Sequence, residues 1–374
     1  MSIFTPLRAL ARQVPLYHDR PSSPSPSDVT RSSSGERQPH LSQTSFEYTS
    51  EDGESGRDSI SEGVSQLIHL IPTATTQTST YGLFTVDTSI TTRKTKFPTA
   101  SGGLADVYRC ILNRGASPEE VAAKSPRYPS LTDAVAIARI NHKLEREIKI
   151  WTGLKHQYIL CLLGIATGFG PFRALVSPWM PNGTLNSYLR ENTTLARMDR
   201  LRILKQITEG LKYLHDNNVI HGDLTSKNVL IAVDGSPRLA DFGVSNIMVE
   251  SNPAFSFHNG AVCWAAPELL FPEGETVPCA TKSSDIYALG CIMLEVLYSK
   301  TPYWWISQKA QNAVQVVSSK YKGQEPINNA MQIQARHLDF LRRCWSINSK
   351  SRPSVEEVLG FLAEKAMSDW VSST

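Results

Sequence analysis

The chain has no Cys-x-x-Cys pair: its six cysteines, at 110, 161, 263, 279, 291 and 344, stand far apart in apolar or mixed segments. The paired spacing of redox and metal sites is missing, so they read as reduced core thiols of an intracellular protein. No apolar run reaches the roughly 18 residues of a membrane-span candidate, and the N-terminus lacks the continuous apolar core of a secretory signal. Nor is there an excess of one charge. The 38 Lys and Arg against 35 Asp and Glu leave a net +3, which gives no footprint for nucleic acid. Residues 1–18 lack acids and carry Arg8 and Arg12, as mitochondrial presequences do, but Pro6 and Pro15 interrupt any helix there. The expectation is a cytoplasmic protein, with the nucleus as a second compartment, no mitochondrial import, and neither nucleic acid nor membrane as partner.

Large aliphatics are scarce between Pro21 and Gln66, where serine dominates and acids outnumber arginines. Such a stretch cannot bury enough surface to offset its ordering entropy, and residues 1–90 are expected to form a disordered Ser/Pro-rich tail. The apolar share of 41% for the whole chain is therefore concentrated C-terminal to this tail. Residues 91–366 are expected to fold as one large domain, with 367–374 a short C-terminal tail.

What is present centres on Val219 to Gly243. Val219-Ile220, Val229-Leu230-Ile231 and Arg238-Leu239-Ala240 read as three short strands, with Asp234-Gly235 as the turn between the last two. Asp223, Asn228 and Asp241 emerge at or just beyond strand ends. Hard oxygen ligands such as Asn228 and Asp241 suit Mg²⁺ held against a triphosphate, and a carboxylate such as Asp223 suits an incoming hydroxyl that must be oriented and deprotonated. Taken singly, each also fits an ordinary turn or cap residue.

The order His221-x-Asp223-x-x-x-x-Asn228, then Asp241-Phe242-Gly243, resembles the catalytic and magnesium loops of protein kinases. Gly222 departs from it, because the family usually carries Arg there. Further motifs fall in the same order. Residues 97–108 read as a strand, a glycine turn and a returning strand. Against the family's G-x-G-x-x-G-x-V only Gly102 is kept, with Ala100 and Ala105 in place of the outer glycines. Val121-Ala122-Ala123-Lys124 places a lysine on an apolar strand, which requires a carboxylate partner. Helical spacing in 131–154 puts Glu147 on the stripe of Ile140, Leu144, Ile148 and Trp151, and turns Glu145 away from it. A helix is expected over 196–215, through Met198, Leu201, Leu204, Ile207, Leu211 and Leu214. A second, from Ser284-Asp285 through Leu297, is apolar almost all round, with Asp285 as its cap. Trp264, Ala266-Pro267-Glu268, Cys344-Trp345 and Arg352-Pro353 complete the register. Together these look most like tyrosine-kinase-like protein kinases, and the resemblance covers about residues 91–366.

The resemblance implies an α+β fold of two lobes: a small β-rich N-lobe with one regulatory helix, and a larger, mostly helical C-lobe. ATP and Mg²⁺ are the implied cofactors and a protein the implied substrate. Asp223 would face the acceptor hydroxyl, Lys124 would bind phosphates while paired with Glu147, and Asn228 and Asp241 would hold the metal. Ser101, Gly102 and Gly103 would lie over the phosphates. Val107, Ala122, Leu230, the gatekeeper Ser177, Pro178 and Met180 would line the purine site. Asp285 would also hold the catalytic loop from below, and Arg352 would pair with Glu268. Lys227, next to Asn228, is the third catalytic candidate, as a cation on the substrate side. Thr225 and Ala261 match neither the serine/threonine nor the tyrosine pattern. The leading reading is a Ser/Thr protein kinase. Its alternatives are a pseudokinase that binds nucleotide as a scaffold or switch and, less favoured, a Tyr-directed or small-molecule kinase.

Overall fold

The computed structural model describes residues 91–94, 97–101, 105–114, 117–126, 144–145, 148–170, 172–242, 261–271, 279–307, 313–328 and 330–363. The expected tail, Gly102, Gly103, Glu147 and Gly243 lie outside them.

Two ten-residue strands, β3 (Ala105–Arg114) and β4 (Ser117–Pro126), pair antiparallel along their whole length. They form the centre of a sheet ordered β1-β3-β4-β6-β5, with β1 Thr91–Arg93, β5 Gly164–Ala166 and β6 Ala174–Pro178. The two-residue β2, Ala100–Ser101, returns onto Val107 and Asp106 of β3, as the strand-turn-strand reading of 97–108 expects. Alternation along the strands divides the sheet by face. Cys110, Leu112, Val121, Ala123, Ala174 and Val176 form a small apolar core on one side. The opposite side carries Val107, Lys124 and Leu175 in one row, and Ala122 and Ser177 in the next.

That second face meets the rest of the domain. Leu175 joins a larger core with Leu144, Ile148 and Trp151, the described part of the expected apolar helical stripe. Glu145 turns away from it, its carboxylate 2.6 Å from Arg173 Nη1.

The larger core is helical. Helix α1 (Leu185–Glu191) starts at a reciprocal cap between Thr184 and Ser187. Helix α2 runs Arg197–Asp216 and buries Leu201, Leu204, Ile207, Leu211 and Leu214. Met198, expected on this stripe, is instead 49% exposed. The first turn directs Arg200 inward, where its guanidinium donates to Val296 O at 2.7 Å and Ser299 Oγ at 3.0 Å and closes the end of a neighbouring helix. Val219-Ile220 forms no strand. It leaves α2 through a Val219 N–H bond to Leu214 O, while β7 (Val229–Ile231) and β8 (Pro237–Leu239) pair with each other as a two-stranded sheet, flanked by single bridges to Thr184 and Ile159.

A short helix α3 (Pro267–Leu270) precedes the central helix α4 (Lys282–Tyr298), which is buried from Ser284 to Val296. The cap of α4 is Thr281, in a reciprocal box with Ser284, and not Asp285, which lies one turn in and is thereby released for other partners. Helices α5 (Trp304–Ser307), α6 (Ala313–Tyr321), α7 (Ala335–Cys344) and α8 (Val355–Ala363) complete the lobe. Among the described residues no helix is long and apolar enough to cross a membrane.

Gly290 marks the closest approach to α4. A Cβ there would meet Cys344 Cβ at 2.7 Å and Trp345 Nε1 at 2.9 Å. Because both lie in a packed core, Gly290→Ala is expected to cost about 1–3 kcal/mol despite alanine's better helix propensity. Urea unfolding checks it: a variant at least as stable as the parent contradicts this packing.

Candidate active site

The β7–β8 hairpin and the end of α2 present the residues 221–228 beneath the sheet face that carries Lys124. Asn228 donates Nδ2–H to Asp223 O at 2.7 Å and to Asp223 Oδ2 at 2.9 Å. This closes the loop on itself and orients the carboxamide. With the nitrogen committed to Asp223, the amide oxygen is the atom that Asn228 can offer to a cation.

Asp285 holds the loop from below. Its Oδ2 accepts from His221 N at 2.9 Å and faces His215 Nε2 at 2.9 Å, while its Oδ1 accepts from Gly222 N at 2.9 Å. Gly222 has φ +77°, the left-handed region that a glycine enters without steric cost. The residue that departs from the family pattern thus suits its backbone. His221 is fully buried. Burial pushes its imidazole pKa below the ordinary value, so it is neutral, and Nδ1 accepts from Asp223 N at 3.4 Å. Its ring meets Phe242 edge-on at 6.1 Å, and Phe242 meets Trp151 at 5.4 Å, so one aromatic stack links the catalytic loop to the helix of the small lobe.

Asp241 has φ +61°, uncommon for a residue with a side chain and tolerated best by Asp and Asn. This brings its Oδ2 to 2.5 Å from Lys124 Nζ. Sequence spacing assigned Lys124 to Glu147, which lies outside the described residues; the described ion pair is with Asp241. The pair Lys124–Asp241 is tied to the pair Asn228–Asp223 through the backbone, where Ala240 N donates to Asn228 O at 2.9 Å. Two oxygen donors, Asn228 Oδ1 and the Asp241 carboxylate, beside a fixed ammonium fit a hard divalent cation shared with phosphate oxygens.

Val107 and Ala122 lie half-buried on the same sheet face as Lys124, and Ser177 is buried at the end of β6. Leu230, on β7, bridges to Thr184, and Met180 is half-buried against the larger core. Met180 O accepts from Gly183 N at 3.1 Å, and Asn182 ties the connector to Ala232 O. Pro178 closes β6 opposite Val121. The side chain of Ser101 is outside the described set. Lys227 is exposed beside Asn228.

One residue the sequence reading missed is Glu295. It is 3% exposed, accepting from Ser226 Oγ at 2.7 Å and from Trp264 Nε1 at 2.5 Å, so that α4 holds the catalytic loop and the segment before Pro267 through one carboxylate. The signal was available: Glu295 is the one acid within the apolar run from Ile286 to Leu297. Beyond Pro267, Glu268 meets Arg352 fork to fork, with both Nη–Oε distances 2.7 Å, as expected from the resemblance.

Burial raises the Glu295 carboxyl to about 7 against the hydrogen bonds from Ser226, Trp264 and Asn186 and the charge of Lys227, all of which lower it. A proton is thus held more tightly in the folded than the unfolded chain. Its contribution to stability is full below about pH 4.5 and is lost as pH rises through about 7. Glu295→Gln, which keeps the shape, is expected to remove this part of the pH dependence, worth ~1.4 kcal/mol per unit of difference. Unfolding both proteins at pH 5 and pH 8 checks it. The parent must lose stability relative to the variant on going to pH 8.

A lysine strand paired with one aspartate, next to a loop that joins a second aspartate to a carboxamide, is an arrangement that suits phosphoryl transfer. The family model for the protein kinase domain matches residues 100–361, and the chain belongs to the protein kinase family. Among curated relatives, it is 33% identical over 226 residues to the mitogen-activated protein kinase kinase kinase dlk-1 of Caenorhabditis briggsae, covering 60% of this chain and 25% of that one. It is 28% identical over 268 residues to the serine/threonine-protein kinase STY46 of Arabidopsis thaliana, covering 71% and 43%. With the mitogen-activated protein kinase kinase kinase mkh1 of Cytospora mali it shares 28% over 218 residues, covering 58% and 12%. The chain thus spans a quarter of the length of dlk-1 and less than half of STY46.

Proposed function

We propose that the protein is an ATP-dependent protein kinase that phosphorylates Ser or Thr hydroxyls of protein substrates, with Mg²⁺ as the metal. The observation that carries this reading is the Lys124–Asp241 ion pair beside the loop in which Asn228 binds Asp223, the two tied by the Ala240 N–Asn228 O bond. The family uses ATP with a divalent metal, and when bound that pair supplies the phosphoryl group and neutralises its developing charge. Asn228 and Asp241 would hold the metal, and Lys124 would neutralise phosphate oxygens. Asp223, oriented by the Asn228 amide, would accept a hydrogen bond from the acceptor hydroxyl and take its proton. Lys227, exposed next to Asn228, would stand on the substrate side, where an ammonium would favour negative charge on the moving group. Val107, Ala122, Ser177, Pro178, Met180 and Leu230 would enclose the purine, with residues 101–103 over the phosphates.

The Ser/Thr assignment is supported by the relative named a serine/threonine-protein kinase and by the kinase kinase kinases beside it. The test is incubation of the purified chain with labelled ATP, a generic protein substrate, and Mg²⁺, Mn²⁺ or no metal, followed by phosphoamino-acid analysis. Label on Ser or Thr that requires Mg²⁺ is the expected result. Label confined to Tyr would overturn the acceptor assignment, and nucleotide binding without transfer would turn the reading to a pseudokinase.

A further inference from the structure

Lys320 is 3% exposed, on a helix whose other inward residues include Val316 and Val317. Its ammonium donates to Cys263 O at 3.1 Å, Ala265 O at 2.6 Å and Tyr287 OH at 3.2 Å. It also lies 4.6 Å from the centre of the Tyr287 ring and 5.0 Å from that of Tyr303. A leucine or methionine would fill such a space without the several kcal/mol that taking an ammonium out of water costs. What an aliphatic side chain cannot do is hold two carbonyls of an irregular segment. Those carbonyls flank Trp264, whose indole is held from the other side by Glu295, and the same Glu295 carboxylate holds Ser226, three residues after Asp223. Residues 263–265 are therefore fixed between a buried ammonium and a buried carboxyl group, and the carboxyl group is shared with the catalytic loop.

We propose that Lys320 is a positioning residue for the protein substrate: by holding the carbonyls of Cys263 and Ala265 it sets the course of the backbone beside the catalytic loop, and so the place where a substrate chain lies against Asp223. This rests on the transferase reading above. Lys320 touches none of the cleft residues named as binding nucleotide or metal, so its removal acts on the protein substrate and leaves nucleotide binding alone. Burial lowers its pKa to about 8, with Cys263, Cys291 and Glu268 opposing that shift and Arg352 adding to it. The ammonium therefore loses one of its three protons on mild alkalinisation and retains two donors for the two carbonyls and the Tyr287 hydroxyl.

The test compares the parent with Lys320→Met, which keeps the aliphatic stem between the two tyrosines, and Lys320→Arg, which keeps donors. For Lys320→Met the KM for a protein substrate is expected to rise about tenfold, the loss of roughly 1.4 kcal/mol of binding. Its KM for ATP should stay within twofold, and Lys320→Arg should recover part of the loss. The parent's substrate KM should rise between pH 7.5 and 9, and that of Lys320→Met should not. Hydrogen exchange gives a reading independent of turnover. The amides of Trp264 and Ala265 should exchange at least tenfold faster in Lys320→Met, and those of residues 204–214 at the parent rate. Equal substrate KM in parent and Lys320→Met would overturn the proposal, as would faster exchange spread evenly over the domain. A parent that transfers no phosphate would overturn the proposed function and, with it, the substrate role. The exchange pattern would then decide alone whether Lys320 holds the segment.

Discussion

Lys124→Met is expected to lower phosphoryl transfer on the order of 10²–10³-fold, the usual consequence of removing one preorganised charge from a site where negative charge develops. The ammonium sits on β4, whose pairing with both β3 and β6 leaves it no freedom to move along the sheet. It is held 2.5 Å from Asp241. Methionine keeps the aliphatic length and removes the charge, so the ATP phosphates lose their cation and Asp241 loses its partner. The fold should tolerate this. Both side chains keep close to a third of their surface in water, and ion pairs so exposed contribute about 0–1 kcal/mol. The measurement is kcat and KM for ATP alongside a urea midpoint. A large loss of turnover with an unchanged midpoint is expected, and unchanged turnover would remove Lys124 from the site.

Lys124 also shows how far the residues alone could be read. Its need for a carboxylate follows from burial energetics, and an apolar strand is legible in Val121-Ala122-Ala123. That it meets Asp241 is set by the approach of segments distant in sequence, while the pairing with Glu147 expected from helical spacing lies outside the described residues. Strand pairing is non-local in the same way. Val219-Ile220 has β propensity, yet no neighbouring edge is available to it, because Leu160 N takes Leu239 O and Leu239 N takes Tyr158 O. The partners of Glu295 and Lys320 were illegible for another reason. Each of these two residues is an ionisable group in an apolar setting, and periodicity marks such residues as exceptions without naming their partners. Those partners are carbonyls, an indole and a hydroxyl from segments more than thirty positions away in the chain. By contrast, the Asp234-Gly235 turn and the apolar central helix depend on local chemistry and were readable at once. Asp285 stands between the two cases. Its place at the start of a helix suggested a cap, and only the observed Thr281–Ser284 box shows that the cap position was already filled.

Asp285→Ala is expected to destabilise the protein by about 3–5 kcal/mol, the range for breaking a buried charged contact by removing one partner. The rival account is that Asp285 serves only as an acid in the first turn of α4, and it sets a different scale. A carboxylate near a helix N-terminus contributes about 0.3–1 kcal/mol. The geometry favours the larger figure. Asp285 is 2% exposed, and its two oxygens take the N–H groups of His221 and Gly222 and face His215, all within 2.9 Å. Alanine would leave two backbone donors without their acceptor, that of His221 fully buried and that of Gly222 partly so, at about 1–3 kcal/mol for each buried one. Asp285→Asn retains one acceptor oxygen and should lose roughly half as much. Because the orphaned donors belong to the two residues before Asp223, activity should fall further than the folded fraction does. The experiment is equilibrium unfolding of parent, Asn and Ala proteins, with turnover measured at a temperature where each is folded. A loss below about 1 kcal/mol in Asp285→Ala would reduce Asp285 to a helix-terminal charge. A full loss of stability with turnover per folded molecule unchanged would show that the loop reaches its working shape without this anchor.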